Sequence, residues 1–169
     1  VATEDPRIVD VVEAAGYNTV MTGSALTGTD RLADAAEKIK ADIYINVQGD
    51  EPIVHPEDIL AIGKAKVEHM DEVVNGFSWV GEEEDPQSVN IPKVITTEDG
   101  KMVYMSRVAL PGYKDAENAP ARYKKQVCIY AFTADELKGF KEFGRKSELE
   151  RAEDIEILRF LELKKSIRL

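Results

Sequence analysis

Cysteine is nearly missing from this chain: Cys128 stands alone among 169 residues. No disulfide can form within the chain, which excludes a disulfide-stapled secreted scaffold and favours a reduced compartment. Histidine is almost as scarce. His55 and His69 have no Cys or His partner at metal-ligand spacing, so no zinc site is expected. Long apolar runs are absent too, and none approaches the roughly 18 residues that read as a membrane span. Positive charge is in short supply: 22 Lys and Arg stand against 32 Asp and Glu, for a net charge of −10. The basic runs Lys124-Lys125 and Lys164-Lys165 are short. That argues against a nucleic-acid partner, whose phosphates need clustered cations. Any polyanionic ligand must be met by a few placed cations, backbone amides or a metal. At 43% hydrophobic residues the chain can bury one core, and the expectation is a single soluble cytoplasmic domain. It opens on Val1-Ala2-Thr3 without a methionine, as though upstream sequence were missing.

What is present alternates. Asp5-Pro6 followed by Ile8, Val9, Val11, Val12 and Ala15 predicts a helix ended by Gly16. Residues 17–21 read as a short strand. Thr29 or Asp30 caps a second helix carrying Leu32, Ala35, Ala36 and Ile39; residues 42–47 read as a buried strand, and 56–69 as a helix begun at Pro56. This β–α–β–α order implies a parallel sheet. The second half is richer in strands, at 73–79, 92–97, 102–105 and 124–132, with Asp99-Gly100 as a hairpin signal. Helices are expected at 133–143 and 148–163. Residues 82–85 read as a solvated acidic loop, Cys128 as a small buried hydrophobe, and Tyr17 and Trp79 as core or interface side chains.

Three stretches carry chemistry. In residues 46–52, Asn-Val-Gln-Gly-Asp-Glu-Pro, adjacent carboxylates follow a glycine at a strand end, where open α/β sheets bind ligands. Asp50 and Glu51 read either as a metal-binding pair or as a strand-end turn with a capping role. Thr27-Gly28-Thr29-Asp30-Arg31 offers hydroxyls, amides and a guanidinium at a loop-to-helix junction, or else an ordinary cap with Arg31 on the surface. Glu153 and Glu156, three apart in the last helix, would share one face.

These stretches, with residues 1–5 (VATED), 106–111 (SRVALP) and 128–132 (CIYAF), occur in an order and at separations that resemble the 3-deoxy-manno-octulosonate (Kdo) cytidylyltransferases, or CMP-Kdo synthetases. The resemblance implies a Rossmann-like α/β nucleotidyltransferase with a mixed sheet and a β-rich dimerisation and sugar-binding part. It implies transfer of CMP from CTP to an acidic eight-carbon sugar with Mg²⁺, in a cytoplasmic homodimer. Asp50 matches the metal aspartate. Gln48 would serve catalysis and sugar binding, Thr27, Gly28, Thr29 and Arg31 the nucleotide, and Gln126, Tyr130, Glu153 and Glu156 the sugar. Ser106-Arg107 would face the sugar or a phosphate, and residues 124–132 with the neighbouring hairpin would lie at the dimer contact, unless the apolar stretch is internal core.

The chain departs from the family pattern at places that touch the sugar more than the nucleotide. Gln126 replaces a histidine, Ile157 a glutamine, and Ala25 a further histidine. The family's Gly-Lys triphosphate loop and its second metal aspartate have no counterpart within residues 1–169, so the chain reads as the interior of a longer enzyme. A sialic-acid-like or modified Kdo substrate stays open beside Kdo, as does a non-catalytic dimerising domain.

Overall fold

The computed structural model describes residues 1–49, 51 and 53–169. Its first half contains β1 (Ala2–Thr3), α1 (Pro6–Ala14), β2 (Val20–Met21), α2 (Gly28–Lys38), β3 (Tyr44–Val47) and α3 (Pro56–Glu68). The second holds β4 (Val73–Trp79), β5 (Lys93–Thr96), β6 (Met102–Ser106), β7 (Lys124–Phe132), α4 (Ala134–Glu142), α5 (Glu148–Glu153), α6 (Arg159–Glu162) and β8 (Ile167–Arg168). Short 3₁₀ turns occupy Ala116–Asn118 and Glu156–Leu158. No helix among the described residues is long and apolar enough to cross a membrane.

Local chemistry starts most of the helices where the sequence places them. Asp5 accepts from the Arg7 amide at 2.9 Å with Pro6 in the first turn of α1, and Gly16 (φ +83°) takes the left-handed turn after it. Thr133 with Glu136, and Ser147 with Glu150, form reciprocal capping boxes on α4 and α5. The cap of α2 is Thr27, not Thr29 or Asp30. Its hydroxyl accepts from the Asp30 amide at 3.2 Å and donates to the Asp30 carboxylate at 2.8 Å, so Thr29 and Asp30 lie inside the first turn.

The six-stranded sheet is mixed rather than parallel. β1 and β2 pair in parallel as a small sheet of their own, and β4 pairs in parallel with β8. The remaining ladders of the six-stranded sheet, β3 and β4 on β7 and β5 on β6 and β7, are antiparallel. The nine-residue β7 is the organising strand, with β4 along one side and β3 and β5 sharing the other. Ile129, Tyr130, Ala131 and Phe132 are at most 2% exposed, which makes the end of the apolar stretch expected at a dimer contact internal core instead. Phe132, Phe160 and Phe140 stack in sequence at 5.5 and 4.9 Å between ring centroids, giving the core its aromatic spine. Cys128 is half-buried against this core. Tyr17 at 71% and Trp79 at 42% exposure are surface groups, not core.

The helix expected over 148–163 is broken. α5 stops at Glu153 because Asp154 enters the left-handed region (φ 51°), which Asp tolerates better than most residues. The chain then turns through 3₁₀ geometry into α6. Glu153 and Glu156 therefore do not share a helix face.

Candidate functional site

The C-terminal end of β3 and the N-terminus of α2 meet at Glu156. One Glu156 oxygen accepts from the Thr29 amide at 3.0 Å and the other from the Gln48 side-chain amide at 2.5 Å. A carboxylate placed on the first-turn amides of a helix satisfies donors that have no partner within the helix. Gly28 lets the same junction pack closely: a Cβ there would lie 3.1 Å from the Gln48 amide nitrogen, which would have to give by a few tenths of an ångström. Arg31 donates to the Thr22 hydroxyl at 2.8 Å and the Glu4 carboxylate at 3.2 Å. Gly28, Arg31, Asn46, Gln48 and Gly49 line one wall of a cavity of about 840 Å³ whose opposite wall is β1. Two buried polar atoms beside it, the Thr29 hydroxyl oxygen and the Asn46 amide nitrogen, have no hydrogen-bond partner among the described residues. Asp50, expected as the metal ligand, lies outside the described residues.

A second cluster sits on β7 and β4. Gln126 donates to the Asn75 side-chain oxygen at 3.2 Å and to the Tyr130 hydroxyl at 3.1 Å. Tyr130 pairs across the ladder with Asn46 of β3, which sets this cluster beside the first one.

Glu153 belongs to a third. Its carboxylate accepts from Ser106 at 2.7 Å, the Arg107 amide at 2.8 Å and Tyr104 at 3.3 Å. Burial pushes its carboxyl up, but these donors and the Arg107 charge outweigh that and hold it below the ordinary value. Arg107 closes the arrangement from the other side, donating to the backbone oxygens of Glu153, Asp154 and Val89. Ser106 and Arg107, expected to face the ligand, thus spend these donors on the C-terminal end of α5 and on Val89.

Gln48, Thr27, Gly28, Thr29 and Glu156 are brought together, and Gln126 and Tyr130 adjoin them. Arg31 and Glu153 are held by other partners. Sequence reasoning missed Asn75, 1% exposed in the middle of a strand. Its signal was an Asn-Gly pair inside an apolar strand run, which marks a bulge. It also missed Arg159, fully buried between Glu150 and Asp30.

A family model described as cytidylyltransferase matches residues 1–167. Three curated relatives called 3-deoxy-manno-octulosonate cytidylyltransferase come from Anaeromyxobacter sp. (strain Fw109-5), Chlorobaculum tepidum and Escherichia coli. They are 38%, 39% and 36% identical, covering 96%, 96% and 95% of this chain. The same alignments take in 66%, 66% and 65% of those proteins, so the chain spans just under two thirds of their length. A solved structure of CMP:2-keto-3-deoxy-manno-octonic acid synthetase complexed with CTP superposes with a TM-score of 0.90 at 35% identity, over 99% of this chain and 69% of that one.

Proposed function

The chain belongs to the 3-deoxy-manno-octulosonate cytidylyltransferase family, and on that premise we propose that the protein joins CTP to a Kdo-type sugar acid, giving CMP-sugar and pyrophosphate. The observation that carries this reading is the bridge from Gln48 through Glu156 to Thr29. It ties the strand end that leads to Asp50 to the glycine-bearing start of α2.

In such a transfer a sugar hydroxyl oxygen bonds the α-phosphorus while the bond to pyrophosphate breaks, and the hydroxyl proton is lost. The chain's contribution is positioning. Thr27, Gly28, Thr29 and Arg31 form the nucleotide side, where Gly28, Arg31 and Asn46 line the cavity. Glu156 takes one Gln48 amide hydrogen, leaving Gln48 its second amide hydrogen and its carbonyl oxygen. Gln126, Tyr130 and Glu156 form the sugar side, and Glu153 supports it by holding the Ser106-Arg107 turn. By the family resemblance Asp50 would hold an ion such as Mg²⁺ together with substrate phosphates and water. When bound it would neutralise charge developing on the phosphate oxygens and the leaving pyrophosphate.

The working protein is a homodimer of the cytoplasm. Phe77 and Trp79, 36% and 42% exposed, form an edge-to-face pair with the Arg122 guanidinium 3.9 Å over the indole. This patch near the start of β7 suits a second copy of the chain.

Asp50→Asn tests the activity. The variant is expected to keep its far-UV circular dichroism and lose most pyrophosphate release from CTP and Kdo. Release at near the wild-type rate would overturn the assignment of Asp50.

A further inference from the structure

The ladder between β4 and β7 is irregular at one point. β4 advances from Asn75 to Gly76 while β7 runs from Tyr130 back to Val127. The surplus residues on β7 turn two backbone carbonyls toward Asn75, whose amide nitrogen donates to Val127 O at 2.8 Å and Ile129 O at 2.9 Å. With oxygen in place of that nitrogen, three acceptors would face one another, so the Asn75 amide has one allowed orientation. Its side-chain oxygen therefore faces Gln126. The same argument repeats one step outward, because a Gln126 oxygen set 3.2 Å from the Asn75 oxygen would oppose acceptor to acceptor. Gln126 must present its nitrogen there, and its second amide hydrogen goes to Tyr130. Both donors are spent inside the protein. Among the described residues nothing donates to the Gln126 side-chain oxygen, and the residue is only half-buried.

We infer that Asn75 is a positioning residue that fixes the Gln126 amide so that only its oxygen reaches the ligand, and that the group meeting Gln126 is a hydrogen-bond donor. This rests on the reading that Gln126 lies on the sugar side. It narrows that side chemically: the partner is a sugar hydroxyl, or an ammonium in an amino sugar, and never the sugar carboxylate. The chain of cause runs from backbone to substrate. The bulge carbonyls orient Asn75, Asn75 orients Gln126, and Gln126 selects a donor.

The orientation is tested without any sugar, from the exchange of the Gln126 side-chain amide protons in the ligand-free protein. Both are expected to be protected in wild type and to exchange faster in Asn75→Ala. Two rapidly exchanging protons in wild type would overturn the inference even if the protein is a Kdo cytidylyltransferase. The consequence is tested with Kdo analogues in which one hydroxyl at a time becomes fluorine, which cannot donate, or an amino group, which can. At one position the fluoro analogue is expected to lose about tenfold in kcat/KM, one hydrogen bond's worth, while the amino analogue stays within about threefold. That penalty should vanish in Gln126→Ala. Asn75→Ala should raise the KM for Kdo with the KM for CTP unchanged, and the double variant should be no worse than Gln126→Ala alone. Equal tolerance of fluorine at every position, or additive losses in the double variant, would refute the inference. The analogue series uses wild type, so it stands even if Asn75→Ala does not fold.

Discussion

Replacing Arg159 by Met gives the most demanding test of how this fold is held together. The guanidinium is wholly buried and donates to both Glu150 oxygens at 2.7 and 2.8 Å, to both Asp30 oxygens at 2.8 and 3.1 Å, and to Phe140 O at 3.2 Å. It also lies 3.7 Å from the Phe140 ring centroid. One base serves two acids, so its removal leaves two carboxylates without their cation. Breaking a buried ion pair from one side costs roughly 3–5 kcal/mol, against a total stability of about 5–15 kcal/mol for a domain. At about 2–4 °C per kcal/mol for chains of this size, the melting temperature should fall by roughly 6–20 °C. Urea unfolding of wild type and Arg159→Met at pH 8 reads the loss, and Arg159→Met/Glu150→Gln, which removes one of the two orphaned charges, should recover part of it. A destabilisation below about 1 kcal/mol, or a double variant no more stable than Arg159→Met, would refute the reasoning.

Two further substitutions probe buried charge elsewhere. Burial pushes the Glu72 carboxyl up, but Ser166, Arg168 and Lys101 outweigh it and bring it down from 4.5 to about 2. Its contribution, on the order of 3 kcal/mol, is present above pH 4.5 and lost as pH falls through 2. The stability gap between wild type and Glu72→Gln should narrow across that window in acid titrations followed by circular dichroism, and a constant gap would contradict it. Lys66 is fully buried and donates to both Glu136 oxygens at 3.0 and 2.9 Å. Lys66→Met should therefore cost roughly 3–5 kcal/mol, and Lys66→Met/Glu136→Gln, which removes the orphaned charge and keeps an oxygen for the Thr133 amide, less. A double variant worse than the single one in denaturant melts would count against the orphaned charge as the source of the loss.

The elements that sequence alone could place are those written by neighbouring residues. Pro6 and Pro56 open helices, Gly100 (φ +84°) turns the hairpin between β5 and β6, and β7 runs from Lys124 to Phe132 as its pattern implies. What failed depended on distance along the chain. Tyr44 facing Phe132, and hence the antiparallel seat of β3, is a contact between residues that no local pattern relates. β1 and β8 escaped because two residues carry no periodicity. The break at Asp154 was hidden because the apolar spacing of residues 148–163 continues through it, while the left-handed residue is imposed by partners on either side. In the site, Gln48, Gly28 and Thr29 were legible as motif residues. The resemblance put Glu156 with Gln48 at the sugar, but its direct bonds to Gln48 and Thr29 were not legible, because they span 108 and 127 positions. Arg159 looked like a residue of a charged helix, and only its tertiary partners reveal it as the centre of a buried cluster.

The break after α5 has an architectural consequence. Glutamates recur at 150, 153 and 156, and each is tethered to a different region: Glu150 through Arg159 to α2, Glu153 to the end of β6, Glu156 to the end of β3. A stretch of seven residues thus acts as a three-armed clasp whose arms are spaced by chain length rather than by helix geometry. Side chains along such a clasp can be exchanged one at a time, each loosening a single arm. Its length cannot drift, since one residue gained or lost at Asp154 would throw the arm at 156 out of step with the arms at 150 and 153. Selection on this segment should therefore act on spacing before it acts on composition.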